Sequence, residues 1–428
     1  MKNKTAKYLP LLFLFLFSIA GLVFNFGAFD RVATQWLYIS VINIISITYL
    51  FNTKVYSEKW FLQLYNYKPI LFFSIFILFG LISLSYAENP TEVILKTVRF
   101  LVVITTIIAL IGLSQKVEDP FLSISIIFTI VAVIEMYYSY SPYYQITTLT
   151  DYSFEFANIL KGATGNKNVT AAALLIKLPF VIYLVGRISK NYLKVILSII
   201  IVLITFMVFL LSARAALLSL SILFIILIIY IFANFYNTKN RLLLTNRLLF
   251  VALPILISFF IFQINYGEQN SASITNRIGT INTENESVNE RLRFYKYSFE
   301  QLVNSPLIGV GLGNWKTKSV AYDKQNIEGY VIPYHVHNDF LEFGVELGVL
   351  GLILYLAIFM LIFLHQLKVF RSDLNSSEFF SKSALILSVL LIYLVDANLN
   401  FPHARVVMQI PFAVLLTLSF LTTKKLKA

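Results

Sequence analysis

Residues 193–235 read LKVILSIIIVLITFMVFLLSARAALLSLSILFIILIIYIFANF. Two apolar runs, 193–211 and 215–235, are parted only by Ser212-Ala213-Arg214. Each is about the 20 residues that a helix needs to cross the hydrocarbon of a bilayer. Working outward, comparable runs lie at 8–24, 34–51, 69–86, 93–114, 120–137, 169–187, 247–264, 340–366, 378–396 and 404–422. The first follows Lys2, Lys4 and Lys7 as a signal peptide would, but no small-x-small cleavage site leads into a soluble chain, so it is read as a span. The expectation is an all-α integral membrane protein of about twelve transmembrane helices. Residues 1–264 form an N-terminal transmembrane region of about nine spans, 265–338 one large, partly helical external loop, and 339–428 a C-terminal region of about three spans.

Composition excludes other classes. The chain is 58% hydrophobic and 13% charged, against roughly 25% charged in a soluble domain. A net charge of +12 invites a nucleic-acid reading, but the cations are scattered singly between apolar runs and make no phosphate-binding face. Without cysteine there is no disulfide framework, thiol nucleophile or Cys-ligated zinc.

Counting Lys and Arg in the short loops sets the orientation. One side, with Lys2, Lys4, Lys54, Lys59, Lys68, Lys116, Arg187, Arg241, Arg371 and Lys424 among its members, holds about eighteen, and the other only about five: Arg31, Lys161, Lys167, Arg214 and Arg405. Both termini are therefore expected inside, with the long polar segment from Asn265 to His337 outside. That segment opens with a Ser/Thr/Asn/Glu-rich stretch, Glu268 to Glu290, continues through a helical piece from Arg291 to Val303 and turns at Ser305-Pro306.

Ionisable groups near a membrane are functional candidates by default, and three sets share the external side. Arg214 sits at a helix mouth, where a snorkelling role competes. Arg291 and Arg293 precede Pro306-Leu307-Ile308-Gly309-Val310-Gly311-Leu312-Gly313. Guanidinium groups bind phosphates through paired donors, and a plain solvated helix face is the competing reading, more for Arg293 than for Arg291. The glycines lack the βαβ context of a nucleotide loop, so they are read as hinges. The third set, His335-Val336-His337-Asn338-Asp339-Phe340-Leu341-Glu342, holds two of the four histidines. An imidazole there is the default general base. A metal held by His335, His337 and Asp339 competes, as does a structural helix cap. Glu342 and Glu346 share one helix face and are expected to point at other helices or a wet cleft. A weaker fourth set, Asp396 to Arg405, is read as a polar connection between the last two spans.

The string His-Asn-Asp-Phe-Leu-Glu (337–342), followed by glycines 344, 348 and 351 on an apolar helix, resembles the signature of the O-antigen ligase and O-antigen polymerase superfamily. Arg291, then fourteen intervening residues and Pro306-Leu307-Ile308-Gly309-Val310-Gly311, is similar to the arginine-led loop of that family. Ser212-Ala213-Arg214 resembles its Ser-Arg element with an alanine inserted, and Gly165-Asn166-Lys167-Asn168 its Gly-x-x-Asn entry to a span. The resemblance implies a membrane glycosyltransferase, type C-like, in the inner membrane of a bacterium with the large loop periplasmic. It would take a glycan from undecaprenyl diphosphate and transfer it, with inversion and without a metal or other cofactor, to the hydroxyl of a lipid A-core-like glycolipid or of a glycan. It also implies roles: His337 as the base and Arg214 and Arg291 on the pyrophosphate. Asn338, Glu342, Arg293, His335 and Arg405 are candidates for supporting positions. Polymerase and protein O-oligosaccharyltransferase readings share the scaffold. A lipid-linked glycan flippase is the alternative of another class, but it should show paired halves with ionisable groups near mid-membrane. Lys96, Arg99 and Lys177 are the only cations well inside apolar runs, and snorkelling or helix pairing accounts for them.

Overall fold

The computed structural model describes residues 4–25, 27, 30, 32–150, 152–267, 286–326, 334–376 and 378–423. The polar stretch 268–285, Arg31 and the terminal lysines Lys2, Lys424, Lys425 and Lys427 lie outside the described residues. Those described form helices without a strand. Eleven helices are long and apolar enough to cross a membrane. The expected twelfth span, the first, is the shorter apolar stretch Tyr8–Ser18 within α1 (Lys4–Ser18).

Next come α2 (Ala33–Asn52), the short α3 (Glu58–Tyr65), α4 (Lys68–Ile82), α5 (Pro90–Ser114) and α6 (Pro120–Thr147). One crossing is made of two pieces, α7 (Lys167–Leu175) and α8 (Leu178–Arg187), and another of α11 (Arg241–Arg247), a π turn and α12 (Leu253–Tyr266). Between them stand α9 (Asn191–Leu211) and α10 (Arg214–Thr238). The loop carries α13 (Glu286–Asn304) and α14 (Trp315–Asp323), the second of which the sequence reading missed. The bundle ends with α15 (Asp339–Asp373), α16 (Lys382–Leu399) and α17 (Val406–Thr423).

Local chemistry starts and stops these elements. The Asn166 side chain accepts from the amides of Asn168 and Val169 and so caps α7, which gives the Gly165-Asn166 pair a structural job. Ser212, left-handed at φ 47°, ends α9, and Arg214 opens α10 two residues later. The α7–α8 crossing and α17 are almost wholly buried, whereas most other spans bury one face only. These two form the centre, and the exposed Leu, Ile and Phe of the remaining spans face lipid.

Inside hydrocarbon a broken helix must find partners for the backbone groups it frees. At α7–α8, Lys177 Nζ donates to Ala173 O (2.7 Å) and to both oxygens of Glu135 on α6 (2.9 and 2.8 Å). The break in α15 falls at Gly348, φ 66°, and the glycine-rich loop repairs it. Val310 N donates to Val345 O (3.0 Å), Gly311 N to Glu346 O (2.8 Å), and Val349 N to Pro306 O (2.8 Å). A Cβ on Gly348 would collide with the Leu307 backbone, and one on Gly309 with the Val345–Glu346 backbone. The hinge reading of these glycines therefore holds. On its far side the loop docks on α4 and α5: Leu312 N donates to Ser83 Oγ (3.0 Å) and Asn89 N to Asn314 Oδ1 (2.7 Å).

Candidate functional site: a charged cleft at one end of the bundle

The α13–α14 loop, the start of α15, the start of α5 and the α16–α17 connection enclose a cavity of about 1150 Å³. His335, His337, Glu342, Glu346, Lys96, Arg293, Phe401, His403 and Arg405 are on its wall. His337 also faces a second pocket of about 40 Å³ beside Asn166, Asp396 and Asn400. Arg405 lines both, as well as a third of about 470 Å³ next to Lys161.

His337 has φ 62°, a conformation that costs a β-carbon residue free energy and persists only when its surroundings hold it. Tyr295 on α13 does so, donating its hydroxyl to His337 O (3.1 Å) and Asn398 O (3.2 Å). The His337 ring stands edge-on to Phe401 at 5.0 Å, while His335 stacks on the same ring at 4.3 Å. The Arg405 guanidinium lies 4.9 Å from that ring too. Burial, and after it the Arg291 charge, push the His337 imidazole down to about 4. It is therefore neutral near pH 7, as a proton acceptor must be.

Behind the ring, Glu342 gathers nitrogen donors. Its Oε1 is 2.9 Å from Lys96 Nζ, 3.1 Å from His335 Nδ1 and 3.1 Å from His403 Nε2, the last without hydrogen-bond alignment. Lys96 reaches Glu346 as well, at 2.7 Å. Both carboxylates are buried, so the pair expected on one helix face is turned inward, where Lys96 balances it. His403 Nδ1 sits 2.6 Å from Asp339 Oδ1. Burial opposes the charge on His403, but Asp339 and Glu342 outweigh it and raise the group to about 9. Burial moves His335 the other way, downward, against the pull of Glu342.

Several expectations change here. His335, His337 and Asp339 do not converge, because Asp339 turns to His403 and Tyr355. The trio whose ligand atoms do approach, within 4.8 Å of one another, is His335, Glu342 and His403, and there Lys96 already supplies a cation to Glu342. Asn338 is the helix cap: its Oδ1 accepts from Leu341 N (3.0 Å). Arg293 is no free solvated residue. It forms a bidentate pair with buried Asp323 (2.6 and 3.3 Å) and lines the cavity. The 396–405 segment is part of the site and not merely a connection, since His403 and Arg405 stand on the cavity wall.

Arg214 and Arg291 are brought together: the charge of Arg214 acts on Arg291, which burial already holds below the ordinary guanidinium value. Arg291 in turn acts on His337. The arginines that form the pocket walls, however, are Arg99, Arg293 and Arg405. Lys96, His403, Phe401 and Tyr295 were missed as site residues. The available signals were Lys96, an ammonium within an apolar run, and the polar 396–405 set that holds Phe401 and His403.

Eleven spans and a cleft of ionisable groups collected at one end define a multi-spanning membrane protein whose polar chemistry sits at the edge of the bundle. Residues 169–356 match the family model described as O-antigen ligase. Over that stretch the chain resembles the O-antigen ligase and polymerase superfamily, as its motifs suggested, and the match points to ligase- or polymerase-like glycan transfer. No curated protein matches the chain.

Proposed function

We propose that the chain transfers a glycan from undecaprenyl diphosphate to an acceptor hydroxyl at the periplasmic face of a bacterial inner membrane, in the synthesis of cell-surface polysaccharide or lipopolysaccharide. The acceptor oxygen attacks the anomeric carbon, the bond from that carbon to the diphosphate oxygen breaks, and the hydroxyl proton passes to His337. Attack opposite the leaving group inverts the anomeric centre. Arg214 and Arg291 take up the charge developing on the pyrophosphate, an electrostatic role that fixed cations can fill without a metal. Arg405 and Arg293, which line the cavity, would hold acidic or hydroxylated parts of the substrates. Asn338, Glu342 and His335 support the base, the first by capping its helix and the others by forming the wall beside it. A ligase with a glycolipid acceptor comes first, with polymerase and protein O-glycosylation sharing the same chemistry.

The observation that carries this reading is His337 itself, a histidine in a left-handed conformation, neutral at pH 7 and under the charge of Arg291, where two pockets meet. The test is transfer by protein in nanodiscs from an undecaprenyl-diphosphate-linked oligosaccharide to candidate acceptors, followed on gels. Loss of a general base lowers such rates by about a hundred- to ten-thousandfold, and His337→Ala is expected to fall in that range while remaining folded. A single shifted band indicates a ligase and a ladder a polymerase. An unchanged rate in the variant removes His337 from the mechanism, and donor lipid crossing the bilayer without product supports the flippase instead.

A further inference from the structure

One face of α13 has no partner among the described residues. Its inner side buries Phe294 and Ser298 and packs Tyr295, Tyr297 and Leu302 around Val310, Trp315, Val336 and Val345. Its outer side shows Leu292, Phe299 and Val303, each at least half exposed. Steps of seven and four residues keep these three within a narrow stripe of a helix turning once per 3.6 residues. Lys296 and Glu300 flank the stripe, 3.9 Å apart, as charged heads do at an interface.

The stripe runs on into the spanning helices. Leu307, 76% exposed, and Ile308 follow directly. The Pro306 carbonyl bonds Val349 N, and Val349, Leu350 and Ile353 begin the outward apolar face of α15. On the other side, the Tyr86 hydroxyl holds Ile308 O (2.6 Å) beside the exposed Ile82 and Leu84 at the end of α4. Leu307 and Ile308 therefore sit level with surfaces that face lipid.

From this continuity we propose that α13 is an interfacial helix whose Leu292–Phe299–Val303 face lies on the bilayer surface, so that the loop rests on lipid and does not stand off in water. Its consequence for the reading above is positional. The helix that carries Arg291 and Arg293 is held at the depth of a lipid-linked diphosphate. The docking itself requires only that the chain span a membrane, so it is tested separately from transfer.

Because the chain has no cysteine, single nitroxide labels need no background substitutions. Phe299→Cys and Val303→Cys would be labelled in protein reconstituted in nanodiscs. Ile353→Cys on the lipid face of α15 and Lys324→Cys at the exposed end of α14 serve as references. Collision rates with oxygen and with a water-soluble nickel chelate are then compared. The expected result is an oxygen-to-nickel ratio at 299 and 303 several-fold above that at 324 and approaching that at 353. A ratio like that of 324 means an aqueous face, and low rates with both reagents mean cover by protein, either from this chain or from a second copy. Each of those outcomes overturns the proposal.

Discussion

Replacing Lys96 by methionine would test whether the cleft is held together by charge. The side chain lies 2.9 Å from Glu342 and 2.7 Å from Glu346, and both carboxylates are all but inaccessible. Methionine keeps most of the apolar stem and removes the ammonium, so two buried carboxylates lose their shared cation. Removing one partner of a buried pair costs about 3–5 kcal/mol, because the remaining charge is left uncompensated. Lys96→Met should fall in this range, whereas Lys96→Met combined with Glu342→Gln and Glu346→Gln should recover part of the loss. Unfolding by titration of sodium dodecyl sulfate in mixed micelles would give the free energies, arranged as a double-mutant cycle for each carboxylate. Residues in direct contact show couplings of about 0.5–3 kcal/mol. A Lys96→Met loss below about 1 kcal/mol, or additive behaviour with both glutamates, would refute the argument that this ammonium is what permits the carboxylates to be buried.

Two further outcomes follow from the geometry. Gly348→Ala places a Cβ in collision with the Leu307 backbone at a positive φ, so it should cost at least about 1–3 kcal/mol; Gly344→Ala, whose Cβ would meet only ordinary contacts at 3.7 Å and beyond, is the tolerated control in the same titration. His403, raised to about 9, binds a proton more tightly in the folded than in the unfolded chain. Its stabilisation is complete below the unfolded value near 6.5 and is lost as the pH rises through 9, a change of about 3 kcal/mol. His403→Gln should be less stable at pH 6 and flatter between pH 6.5 and 9, and an equal slope in both proteins would count against the Asp339 pairing.

The spans were legible because hydropathy is local: 193–211 and 215–235 announce themselves, and the break between them falls where Ser212-Ala213-Arg214 predicted. The left-handed glycines of the loop were legible as hinges too. What the sequence concealed was pairing across distance. Nothing near Lys96 reveals that it meets carboxylates some 250 positions later, or that Asp339 prefers His403 to its neighbours His335 and His337. Those contacts are made by helix packing, which leaves no periodic trace. Trp315–Asp323 was hidden for another reason: a nine-residue helix with mixed polarity and no side-chain cap is weakly marked.

The splice between the glycine-rich loop and the broken α15 bears on how the molecule is assembled. The Val345 and Glu346 carbonyls at the kink accept from amides of a segment made earlier in synthesis. That segment in turn needs Ser83 and Asn89, made earlier still. The order of elements along the chain is thus an order of dependence: the α4–α5 corner is the socket, the loop is the key, and the kinked helix closes over both. An insertion between Pro306 and Asn314 would therefore act as a defect in building the kinked α15 crossing, and would be felt as lost yield of folded protein before any substrate is met.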